Sequence, residues 1–161
     1  LEPSYYSTDL MSDIMSGGGS SRLYQSLVKE QKLFSNIECY HFGSTENGLM
    51  SIEGKLVKGV KMEDAEKAVM AEVEKIKTML VSEQELQKVK NKTESMIAFE
   101  DMSVMNRANS LAYYETLGDA ALMNEELPRY GKVTAEDIRS EAGKIFREEN
   151  SSTIYYLAKG K

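Results

Sequence analysis

The 161-residue chain predicts an α+β fold, a small antiparallel sheet with helices packed on one face. Three observations predict it. Apolar residues recur every three or four positions from Tyr6 to Met15 and again from Met62 onward; the period drops to two between about 33 and 57; and the resulting order is helix, helix, strand, strand, a series of helices and a last strand.

Tyr6, Leu10, Met11, Ile14 and Met15 set the first helix, which the Gly17 to Gly19 run stops by permitting positive φ. Ser20 or Ser21 then caps a second helix with the stripe Leu23, Tyr24, Leu27 and Val28. Ile37, Cys39 and His41 alternate with Glu38, Tyr40 and Phe42, and Met50, Ile52, Gly54 and Leu56 alternate with Ser51, Glu53 and Lys55, which gives two strands joined by the turn at 43–48. The next helix carries Met62, Ala65, Val69, Val73, Ile76 and Leu80. Ser82 and Glu85 form a capping box, and Leu86, Val89, Thr93, Ile97, Val104, Ala108 and Leu111 continue one stripe to about Thr116, ended by Gly118. A shorter helix with Leu122, Met123 and Leu127 is interrupted by Pro128. Thr134 caps the last helix, with Ile138, Ala142, Ile145 and Phe146, and Thr153 to Ala158 is the final strand.

Composition describes one soluble domain over residues 1–161: 41% of residues are hydrophobic and 29% charged. Twenty Lys and Arg against 26 Asp and Glu give a net charge of −6, a field that repels nucleic-acid phosphates and anionic membranes. No run approaches the roughly 20 apolar residues that span a bilayer. Leu1-Glu2-Pro3-Ser4 carries neither an initiator Met nor a signal pattern, so the chain reads as a piece of a longer one. Cys39 is the only cysteine, which suits cytoplasm and periplasm equally.

The chemistry is informative through what is missing. His41 is the only histidine, and with Cys39 two residues away it supplies at most two zinc ligands where a catalytic site needs about three, so no metal is expected in this chain. Nothing resembles a nucleophile elbow. A phosphate-binding glycine turn follows a strand and opens a helix; here a helix precedes "SGGGSSRLYQ" and the P-loop Lys is missing, so the run reads as a turn. Glu72, Glu74, Glu83, Glu85, Lys88, Lys90 and Lys92 lie outside the apolar stripes and read as solvated helix faces. The Tyr113-Tyr114 pair beside Arg107 reads as packing against a neighbouring domain, with contact to a ligand as the alternative.

"LMSDIMSGGGSSRLYQSLVKEQKLFSNIECYHFGS", "GLMSIEGKLVKGV", "VSEQELQKVKNKTES", "NRANSLAYYETLGDA" and "VTAEDIRSEAGKIFREENSSTIYY", in this order, resemble the C-terminal, non-catalytic half of the insulinase and pitrilysin type zinc peptidases, the group that includes mitochondrial processing peptidase. The resemblance covers almost the whole chain. It implies one of two α+β halves that face each other across a chamber, with zinc held in the catalytic half by a His-x-x-Glu-His helix that this sequence does not contain. Some relatives place an Arg and a Tyr, seven residues apart, on the non-catalytic half to reach the scissile peptide; the corresponding positions here are Val28 and Ser35. In the family pattern a strand precedes the first helix and joins the hairpin and the final strand, so the resemblance implies a sheet short of its first strand. An edge left open in this way would let the fragment self-associate or accept an extended peptide.

The resemblance thus implies a substrate-chamber domain that encloses unfolded peptide, partnered by a catalytic half in the same chain or in a second subunit; the alternative is a purely structural, assembly role, as in inactive homologues. A nucleotide-binding module built on the glycine loop is the reading outside the family. Gly18, Gly19, Ser20, Ser21 and Arg22 are the candidate peptide contacts, because glycine allows close backbone approach and the amides of Ser20 and Ser21 can receive a peptide carbonyl or carboxylate.

Overall fold

A computed structural model describes residues 2–43 and 48–157. Helix α1 (Pro3–Ser16) starts with Pro3 in its first turn, where the missing N–H costs nothing. A π-helical segment (Tyr24–Glu30) leads into β1 (Phe34–Phe42) and β2 (Leu49–Leu56), and α2 (Met62–Thr78), α3 (Glu83–Glu100), α4 (Val104–Thr116), α5 (Glu126–Lys132) and α6 (Ala135–Ile145) follow. Short 3-10 turns at Ala120–Glu125 and Glu148–Asn150 lie before α5 and after α6.

The two strands pair antiparallel, with Cys39 opposite Ile52 and His41 opposite Met50. Ile37 and Cys39 are buried while Glu38 between them is exposed, so the predicted alternation holds and one sheet face receives the helices. A bulge at Phe34 to Asn36 turns the Phe34 ring over Gly54, where an added Cβ would lie 2.5 Å from the ring. The core gathers Leu10, Met11 and Met15 of α1 with Leu27, Ile37, Ile76, Val89 and Ile138. Helix α1 is central, packing on β1, α3, α5 and α6.

Several expectations change. The second helix is π rather than α: Gln31 N–H donates to Ser26 O, and Ser21 Oγ donates to Gly18 O instead of capping the segment. Ser20 does not cap it either, being bonded to Lys88. The long stripe from Ser82 breaks at Asp101 to Ser103, because the Ser103 side chain accepts from Asn106 N–H and starts α4 afresh. Pro128 does not interrupt a helix; as the third residue of α5 it sits in the first turn, where its lost donor has no intrahelical partner anyway. Leu80 falls beyond α2 and is exposed, its core place taken by Val81. The predicted final strand is not formed over 153–157, where Ile154 is 90% and Tyr156 93% exposed; alternation says which face a strand would bury, but no sheet edge pairs with this segment among the described residues. Ala158 and the turn residues 44–47 lie outside the described residues.

Just past the π segment and its closing residue Gln31, Lys32 has a φ of 53°, a left-handed conformation that L side chains resist. Replacing Lys32 by Gly is expected to raise stability by roughly 0.5–1 kcal/mol, read as a higher urea midpoint at unchanged slope. A lower midpoint would mean that the lysine stem contributes packing that outweighs the backbone strain.

Candidate functional site

The glycine loop forms where α1 runs out of residues that keep α geometry. Gly17 N–H donates to Asp13 O at 2.6 Å, and Gly18, at φ 125°, turns the chain so that its carbonyl accepts from both Ser21 N–H (3.0 Å) and Ser21 Oγ (2.6 Å). Just before the turn, Ser16 Oγ accepts from Cys39 N–H at 2.6 Å and donates to Cys39 O at 2.7 Å, which bolts the end of α1 to the outer edge of β1.

Helix α3 laces the loop from the other side. Arg22 donates to both Glu85 oxygens, Nε to Oε1 at 2.9 Å and a terminal nitrogen to Oε2 at 3.1 Å. Glu85 also accepts from Ser82 N–H and completes the capping box of α3, so one carboxylate joins the loop and the helix start. The Arg22 guanidinium, then the Ser82 backbone and hydroxyl donors, hold the Glu85 carboxyl down to about 2 against the opposing effect of burial. One turn on, Lys88 donates to Ser20 Oγ at 2.9 Å; another turn on, Lys92 pairs with Asp13 at 2.7 Å and reaches Gly17 O. These residues are not the free solvated faces that the sequence suggested. Glu72 departs further: it is 4% exposed, accepting from Ser26 Oγ in the π segment and from Lys75.

Of the five predicted contact residues, Gly18, Gly19 and Ser20 are exposed, Ser21 is buried and Arg22 half-buried. The amide of Ser21, expected to receive a peptide, is spent on Gly18 O, and the Arg22 guanidinium is spent on Glu85. Gly19 O accepts from Gln25 Nε2 and Ser20 O from Lys88 Nζ, so what stays open among the described residues is the N–H groups of Gly19 and Ser20. Val28 packs against the core and Ser35, exposed on β1, donates its Oγ hydrogen to Lys55 O.

Cys39 and His41 lie on the inward sheet face, as their spacing predicts. Burial pushes the Cys39 thiol up to about 12, and its Sγ packs 3.5 Å from Met50 Sδ. Burial lowers the His41 pKa, opposed by the Asp9 charge, and its ring rests 5.2 Å from Tyr5. His41 Nδ1 is buried without a partner among the described residues. A protonated thiol and one imidazole do not make a zinc site, and among the described residues no three His, Cys, Asp or Glu side chains come together to hold a metal ion. No described helix is long and apolar enough to cross a membrane.

One cluster has no local sequence signal. Tyr130 of α5 donates to Asp9 of α1 at 2.7 Å across 121 residues of chain, beside a cavity of about 230 Å³ lined also by Asp13, Met96, Glu100 and Glu126. Burial raises the Asp9 carboxyl, with the Tyr130 hydrogen bond opposing, and burial also raises Glu126, opposed by a hydrogen bond from Tyr114. Tyr114 is buried, while its neighbour Tyr113 stacks edge-on against it at 5.6 Å and stays 54% exposed.

No curated protein matches the sequence. Among solved structures, the inactive peptidase domain of a candidate zinc protease from Bordetella parapertussis superposes with a TM-score of 0.87 at 21% identity, covering 99% of this chain and 85% of that one. A candidate zinc protease from Bordetella pertussis Tohama I gives 0.84 at 22% identity, over 98% and 87% of the two chains. A protease from Helicobacter pylori gives 0.79 at 21% identity over 89% of this chain, but this chain spans only 34% of that one. These likenesses establish the fold. Residues 1–93 match the family model of the peptidase M16 inactive domain, more than half of the sequence. The α1 helix, the glycine loop, the hairpin and the start of α3 are therefore those of the M16 inactive domain, and the chain belongs to that family.

Proposed function

We propose that this chain is the non-catalytic wall of a peptide-hydrolysing chamber, enclosing unfolded peptide while the zinc chemistry belongs to a catalytic M16 half, linked to it or supplied as a separate subunit. The observation that carries the reading is the match of residues 1–93 to the inactive domain in a sequence whose lone histidine leaves it without a His-x-x-Glu-His helix. In such a chamber the contribution of this half is to hold the peptide extended and to exclude water, which lowers the barrier without a reacting group. The exposed N–H groups of Gly19 and Ser20 are where a peptide carbonyl or carboxylate would approach this loop; the loop is held in place by Arg22, Lys88 and Lys92.

The assembly reading has one specific observation in its favour: Val28 and Ser35 stand where some relatives carry an Arg and a Tyr, and Arg22 is already paired. Two measurements separate the readings. The chain alone is expected to retain no stoichiometric zinc after dialysis and to cleave no peptide; chelator-sensitive hydrolysis with one zinc per chain would overturn this. Adding the chain to its catalytic M16 half is expected to raise turnover of an unfolded peptide. A catalytic half that is fully active alone, with rate and cleavage positions unchanged by the addition, would leave the assembly role standing and the chamber role refuted.

A further inference from the structure

Between Lys92 and Arg107 the sequence has no basic residue, and it has Glu94, Glu100 and Asp101. The same stretch makes the turn from α3 to α4, and its large apolar side chains face solvent: Phe99 is 73% exposed, Met102 78%, Val104 84% and Met105 69%, with Met96 half exposed. The three carboxylates are exposed beside them. Helix α4 adds to this surface, for Tyr114 is its one buried residue, and a 13-residue helix draws little stability from propensity alone. An apolar corner this uncovered marks an interaction surface, and methionine thioethers repack around varied partners.

Charge selects the occupant. The cavity beside Met96 continues the negative surface through Asp9, Asp13, Glu100 and Glu126, and the one lysine in its lining, Lys92, is paired with Asp13. A second copy of a chain with net charge −6 would bring like charge to this corner, and lipid or nucleic-acid phosphates would be repelled from it. We propose that the α3–α4 corner docks a cationic apolar polypeptide segment, one that sets Lys or Arg beside aromatic or aliphatic side chains. Apolar contact with Phe99, Met102 and Met105 supplies the affinity, and the acidic rim supplies attraction and orientation. This docking does not depend on the chamber role proposed above.

The test titrates the full chain with two synthetic amphipathic peptides of identical leucine and phenylalanine content, one with lysines and one with glutamates on the polar face. Binding is read in low salt and in about 0.5 M salt, where exposed charge pairs are screened. Two variants are compared, Phe99→Ser with Met105→Ser, and Glu100→Gln with Asp101→Asn; all four residues are exposed, so melting temperatures should stay near that of the parent. The expected result is binding of the lysine peptide alone, weakened about tenfold or more by the apolar variant. The charge variant should weaken binding less and remove most of its salt dependence. Equal binding of both peptides, binding of neither, or affinity untouched by both variants would overturn the proposal. So would sedimentation showing a dimer that the Phe99 variant dissociates, or flotation of the chain with anionic vesicles.

Discussion

Leu10→Ala is expected to lower the unfolding free energy by about 3 kcal/mol, within a range of about 2–5, because it empties the centre of the core. Leu10 is fully buried in the helix that packs on β1 and on three other helices, so no single neighbour can collapse into the space. For a domain of this size the loss corresponds to a melting temperature lower by roughly 6–12 °C, a large fraction of ordinary domain stability. Leu80→Ala is the matched control. The sequence assigns both leucines to apolar stripes, yet Leu80 is 52% exposed, and its removal is expected to cost no more than about 0.5 kcal/mol. Equal losses at the two positions would show that Leu80 is covered in solution.

The second large effect is electrostatic and depends on pH. Glu85→Gln is expected to cost about 1–2 kcal/mol at neutral pH; the side chain is 33% exposed and that of Arg22 19%, so solvent screens part of the interaction. The Glu85 carboxyl is held at about 2 in the folded chain against an ordinary 4.5. A depressed acid contributes its stability above its unfolded value and loses it as pH falls through the folded one. The gap between parent and variant should therefore be full above about pH 5, shrink between 4.5 and about 2, and vanish below. Urea unfolding at pH 7, 4 and 3 measures it. A gap constant over that range would mean that Glu85 acts through the shape of the cap and not through its charge.

Much of the local architecture was legible. The capping box of Ser82 with Glu85 and the cap at Thr134 both form, because a cap needs only residues three apart; the structure adds Asp137 as the reciprocal partner of Thr134. The hairpin register follows from alternation on both strands, since a slip by one would expose Ile37 and Cys39. The candidate site was half legible: the glycine run could be read as a turn, but not that Arg22, Lys88 and Lys92 were committed to holding it together. Their partners lie across the fold, 63 residues away for Arg22 and Glu85, and on a helical wheel they look like any solvated face.

Residues read along the chain are enough for the α+β class, the helix starts at Ser82 and Thr134, the single hairpin, the lack of a zinc-binding motif and the family resemblance. Each rests on composition, on spacing within a few residues, or on ordered phrases along the chain. The break of the stripe at Ser103, the burial of Glu72 against Ser26, the meeting of Asp9 with Tyr130 and the absence of 153–157 from the sheet emerge only once the elements are packed together. The physical reason is shared by all four. Periodicity reports which face of an element is apolar, whereas burial, a salt-bridge partner or a strand neighbour depends on what another element places opposite that face.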